Sequence, residues 1–166
     1  MSQYDTVAGI LHVHAMVNGF IAATVEEVPE SRMTEQHGTI VNHPAWTLSH
    51  LNAYSALVLS MFDDPQGDGV DREMERFGYG SVPVADPAAY ASKGELLTLF
   101  KERNARVGAV VSAKHAEYFA RPAPEKFRTH ARALGDLAIT LIVAHPPHHL
   151  GQLNQWRRAA GLAERD

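Results

Sequence analysis

The chain has 166 residues, 45% of them hydrophobic and 20% charged, which supports one soluble globular domain with a sizeable core. It contains no cysteine, which excludes thiolate metal ligands, a cysteine nucleophile and any disulfide framework, and fits a reducing cytoplasm. A net charge of −4 without a Lys/Arg cluster gives no electrostatic footprint for nucleic acid.

The start, Met1-Ser2-Gln3-Tyr4-Asp5, lacks the basic residues and apolar run of a signal peptide. No apolar run approaches the ~18 residues that span a membrane, so a membrane partner is not expected. From Asp5 to Val28, Val7, Ile10, Leu11, His14, Val17, Phe20, Ile21 and Val25 recur at helical steps, and Pro29 stops the pattern. Residues 29–43 read as a polar connection. The second helix opens at Asn42-His43-Pro44, with Asn42 or His43 as cap and Pro44 in the first helical position, and runs to Met61 or Phe62. Its apolar face carries Trp46, His50, Ala53, Leu57 and Met61.

Residues 63–91 are rich in Gly, Pro and Asp and predict a long crossover loop between helices two and three, with a helical turn near Asp71 to Arg76. Ser92 and Glu95 form a capping box that opens a third helix through about Tyr118. Arg121-Pro122-Ala123-Pro124 ends it. A fourth helix is expected from about Thr129 to Ala144, restarting after a break at Pro146-Pro147 and running to Ala160, with Gly161 as its stop. In that reading His145 caps the restarted helix. Four helical segments without a strand pattern predict an all-α four-helix bundle, a single domain over 1–166.

The last helix carries the chemistry. His145 and His149 lie four residues apart, on one helical face, and Gln152 and Trp156 continue their stripe. Bundles build metal sites from facing helices, and His50 is the best-placed third ligand. Three neutral imidazoles with open positions compose a catalytic metal centre better than a closed structural one. They suit zinc, nickel or iron alike. A histidine on an apolar face is nonetheless most often a hydrogen-bonded core residue. His148 reads as exposed or behind the ligands, and His43 as a cap. His12, His14, His37, His115 and His130 read as surface or bundle residues, with His14 able to approach the site from helix one. Trp46 and Trp156 read as core fillers ahead of pocket walls. Tyr79 and Phe77 have the better claim to line a site mouth, and Arg157 and Arg158 most simply meet the helix dipole and solvent.

Trp46-Thr47-Leu48-Ser49-His50, together with His145-x-x-x-His149-x-Gly151-Gln152 and Arg157, Arg158 and Gly161, resembles the DinB/YfiT family of metalloproteins. It is also similar to the mycothiol-dependent maleylpyruvate isomerases of that superfamily. The resemblance implies an up-down-down-up bundle, commonly a homodimer, with His50, His145 and His149 as ligands of a divalent transition metal. It places Gln152 behind the ligands or in packing. It further implies a low-molecular-weight thiol as co-substrate, hence a metal-activated thiolate in S-transfer or isomerisation of a small electrophile. The alternative is a non-catalytic, stress-associated metal-binding dimer. In either case no carboxylate stands out as a general base.

Overall fold

The computed structural model describes residues 5–162. The signal-peptide reading of the first four residues, and both ends of the expected 1–166 domain, lie outside the described residues. Within them the chain is helical, and its only ladder-like pairings are two isolated bridges, His37 with Ile40 and Pro122 with Ala133.

Helix α1 (Thr6–Glu26) starts where the Asp5 carboxylate accepts from the Ala8 N–H at 3.1 Å. It turns His14, Val17, Asn18, Ile21 and Val25 inward. Val7 and Phe20, assigned by their spacing to the apolar stripe, are instead exposed beside Val13 and Met16. The helix is long and apolar enough, by length and composition, to cross a membrane, which the reading of apolar runs did not anticipate. Its inner face packs on α4 and α7.

Helix α2 (Pro44–Met61) is capped by His43, whose Nδ1 accepts from the Trp46 N–H at 3.2 Å while Nε2 donates to the Val84 carbonyl. Nearly every side chain of α2 is buried, as for a helix surrounded by others. The crossover holds α3 (Val70–Phe77), which forms where the turn near Asp71 is expected. It is tied down by Arg103, whose guanidinium donates to both Glu73 carboxylate oxygens at 2.6 Å and to the Asn52 carbonyl.

Helix α4 (Lys93–Ser112) carries the full capping box at Ser92 and Glu95. It stops six residues short of Tyr118. A separate turn, α5 (Ala116–Phe119), begins after an extended His115, and this break lets Tyr118 and Phe119 pack on Phe62. The next helix also starts later than expected. Residues 129–133 stay outside any helix, and α6 (Leu134–Ile139) begins where the Asp136 carboxylate accepts from the backbone N–H of Arg132 and Ala133.

Around Pro146-Pro147 the chain does not break. A π-helical turn, Thr140–Ala144, runs directly into α7 (His145–Ala159), with both prolines in its first turn. His145 is thus a helical residue and not a cap. The prolines remove the two N–H groups that could reach the Ile142 carbonyl four or five residues back. His14 supplies the replacement, its Nδ1 donating to that carbonyl at 3.0 Å. At the far end Gly161, at φ +69°, closes a Schellman motif in which Leu162 N–H reaches Arg157 O and Gly161 N–H reaches Arg158 O. Arg157 is not a solvent-facing dipole partner; it is buried, donating to the Thr24 carbonyl and to Glu27.

Two large apolar clusters, with a small third at Ala123, Ala131 and Leu137, fill the interior of the described residues. One joins Ile21, Val25, Leu48, Phe100, Leu153 and Trp156; the other joins Val58, Phe62, Val107, Val111 and Ile142. Each fully buried large side chain contributes about 1.5–3 kcal/mol of transfer free energy. The three histidines sit on the facing sides of α2 and α7.

Candidate metal centre

His50 stands midway along α2, and His145 and His149 stand on successive turns of α7. Their Nε2 atoms converge. His145 Nε2 lies 3.1 Å from His50 Nε2 and 2.9 Å from His149 Nε2. One nitrogen from each ring falls within 4.8 Å of the others, so the group could hold a metal ion. Ligand nitrogens around a tetrahedral ion with ~2.1 Å bonds lie about 3.4 Å apart, so the rings need to part by only a few tenths of an ångström.

The outer nitrogens decide which tautomers are present. His50 Nδ1 donates to the Phe77 carbonyl at 2.6 Å, and His149 Nδ1 donates to Gln152 Oε1 at 2.8 Å. An oxygen acceptor on Nδ1 puts the proton there and leaves Nε2 as a bare lone pair. Two of the three inward nitrogens are therefore fixed as acceptors, and nothing but a proton or a cation between the rings relieves their mutual repulsion. Burial pushes His50 down to about 4, against the Phe77 carbonyl, which favours the charged form. Burial and then the neighbouring His50 push His145 to about 4, and burial, His50 and His145 push His149 to about 3. All three are neutral imidazoles at pH 7, the form that ligates metal.

The acceptors are held in turn. Gln152 Oε1 also accepts from Asn42 Nδ2, and Gln152 Nε2 donates to the exposed His148. Phe77 ends α3, and Gly78 closes that helix: an added Cβ there would overlap the Met74 carbonyl oxygen. The indole of Trp46 stacks on His50 at 4.6 Å between centroids and donates through Nε1 to Ser81 Oγ.

Of the residues singled out by spacing, then, His50, His145, His149, Gln152, His148 and Trp46 meet in one place. Trp156 does not. It lies in the core one turn beyond Gln152, donating to the Glu35 carbonyl at 2.7 Å. The Tyr79 residue is 98% exposed, and its backbone reaches the Tyr54 phenol.

Sequence reasoning missed Tyr54, whose ring centroid is 4.4 Å from that of His145 and 4.7 Å from that of His50. Its position four residues after His50 was the available signal. Burial raises its pKa, so the phenol keeps its proton beside the site. It also missed the Phe77 carbonyl, for which no side-chain signal exists. His14, read as able to approach from helix one, lines a small cavity in common with His145.

A family model described as the DinB superfamily matches residues 21–153, a span that contains all three histidines. No curated protein matches the chain.

Proposed function

The chain belongs to the DinB superfamily, and on that premise we propose that it is a divalent-metal protein that uses His50, His145 and His149 as ligands to transform a small electrophile with a small thiol. The observation that carries the reading is the convergence of three neutral Nε2 atoms, two of them fixed as lone pairs by the Phe77 carbonyl and Gln152. When bound, such an ion supplies Lewis acidity and lowers the pKa of a water or thiol that reaches it.

The remaining work falls to the chain itself. Gln152 and the Phe77 carbonyl orient the ligands, Trp46 stacks on His50, and the protonated Tyr54 phenol is a donor beside His145. The thiol comes from outside, since there is no cysteine. The net charge of −4 argues against nucleic acid as partner, and the absence of cysteine suits a cytoplasmic setting. We read the four long segments α1, α2, α4 and α6–α7 as the up-down-down-up bundle. The apolar residues that α1 leaves exposed, Val13, Met16 and Phe20, support a homodimer.

The second reading is a non-catalytic metal-binding dimer of the stress-associated kind. It is favoured by the absence of a carboxylate among the described neighbours of the three rings, which leaves no general base for water attack. Elemental analysis of wild type and His149→Ala, each reconstituted with zinc, nickel or iron(II), tests the shared premise. About one metal per chain, lost in the variant, supports it; none in either discards it. Turnover of electrophiles with small thiols, abolished by His149→Ala, then separates the enzyme from the non-catalytic dimer.

A further inference from the structure

Two of the three imidazoles have a partner on Nδ1, and His145 does not. Its Nδ1 is buried without a hydrogen-bond partner. A metal-ligating histidine nearly always donates its outer N–H, because that bond fixes the tautomer and the ring's aim. One other buried atom in the same neighbourhood has the complementary need. Asn18, 6% exposed on α1, has an Oδ1 with no donor.

The hydrogen-bond network settles which atom of that amide is which. Asn104 Nδ2 donates to the Phe100 carbonyl at 2.7 Å, so Asn104 turns its Oδ1 toward Asn18. Asn18 must meet it with Nδ2, which it does at 3.1 Å. Asn18 Nδ2 lies 3.0 Å from His14 Nδ1 and 3.3 Å from Nε2; because Nδ1 gives its proton to the Ile142 carbonyl, the other Asn18 amide hydrogen goes to the Nε2 lone pair. Oδ1 remains as a fixed, unused acceptor. His145 and Asn18 both line one small cavity of about 10 Å³ that is also bordered by Ser55 and Asn104. That space is at the lower limit of what one water needs; its walls are otherwise mostly apolar, and the two unpartnered polar atoms supply the partners that a water there requires.

We infer that a single ordered water in this cavity bridges His145 Nδ1 and Asn18 Oδ1, donating to the Asn18 oxygen and, when an ion takes His145 Nε2, accepting from Nδ1–H. Asn18 is thereby a positioning residue for the third ligand: α1, which contributes none of the three histidines, sets the aim of one of them. The inference rests on the three-histidine reading for its consequence, but not for the water itself.

Two measurements separate those parts. A crystal structure of the metal-free protein at a resolution that shows waters should reveal one within hydrogen-bond reach of both His145 Nδ1 and Asn18 Oδ1; an empty cavity overturns the proposal whether or not metal binds. Asn18→Leu, and independently Ser55→Val, fill the cavity and should raise the Kd for zinc, measured against a competing chelator, by about 10–100-fold. In the cobalt(II)-substituted protein the exchangeable Nδ1 proton of His145 should shift in both variants, while those of His50 and His149 stay in place, a change that loss of packing alone does not produce. An unchanged Kd with an unmoved His145 resonance overturns the positioning role. Wild type that takes up no zinc refutes the metal site instead, and leaves the crystallographic result standing.

Discussion

Replacing His14 by leucine tests how a helix tolerates consecutive prolines. The leucine side chain is close in size to imidazole, and the site is almost fully buried, so packing changes little. What is lost is the donor to Ile142 O, whose own helix offers only Pro146 and Pro147 at the positions that could reach it, and with it the acceptor of an Asn18 amide hydrogen, a second loss that does not depend on the prolines. An unsatisfied buried carbonyl is destabilising by about 1–3 kcal/mol. For a chain of this size each kcal/mol moves Tm by about 2–4 °C, so a fall of roughly 2–12 °C is expected. Burial keeps His14 in its neutral form, so no charge is removed with it. The decisive comparison uses Pro146→Ala, which restores a backbone N–H four residues beyond Ile142. In that background His14→Leu should be milder by about 1 kcal/mol or more, measured by urea unfolding with metal chelated. Equal losses in the two backgrounds, or a loss under about 0.5 kcal/mol in the parent, would refute the idea that His14 completes the π turn.

Acid should destabilise the metal-free protein well before its carboxylates titrate. His50, His145 and His149 take protons near 6.5 when unfolded but only near 4, 4 and 3 when folded, so the unfolded chain holds the extra protons between those limits. Stability present above pH 6.5 therefore falls as pH drops toward 4, by about 1.4 kcal/mol per pH unit for each histidine, and urea midpoints at pH 7, 6 and 5 measure it. Zinc at 100 times its Kd should add about 2.7 kcal/mol and raise Tm by roughly 5–10 °C, an effect that chelation or His149→Ala removes. Glu73→Ala breaks the paired contact with the nearly buried Arg103 and should cost about 2–3 kcal/mol, partial exposure of the carboxylate moderating the loss. Because α3 carries Phe77, the same variant should weaken zinc binding in a competition titration.

How much of this was legible depended on whether a side chain or the backbone did the work. His43-Pro44 and Ser92 with Glu95 announce helix starts because capping is local chemistry, and both form where the residues place them. His145 and His149 declare a shared face through spacing alone, and His50 follows from the apolar stripe around it. The late start of α6 was not legible, since Asp136 captures the Arg132 and Ala133 amides only once the chain has turned through Pro122 and Ala133. Nor was the π turn: prolines in a helical pattern suggest a break, and the donor that avoids it sits 128 residues away on α1. Tyr79 misled for the opposite reason, an aromatic ring in a glycine-rich loop that points wholly to solvent.

The acceptor that holds His50 is a main-chain oxygen, at the end of a helix inside the long crossover. A survey of alanine substitutions passes over it, because every residue carries the same group. What heredity must preserve there is not the identity of position 77 but the number of residues between the two points that pin the segment, and the hydrogen at Gly78 that lets it close. In this stretch insertions and deletions are the informative mutations. A loop that drifts freely in composition while keeping its length would be the signature of a backbone ligand-holder.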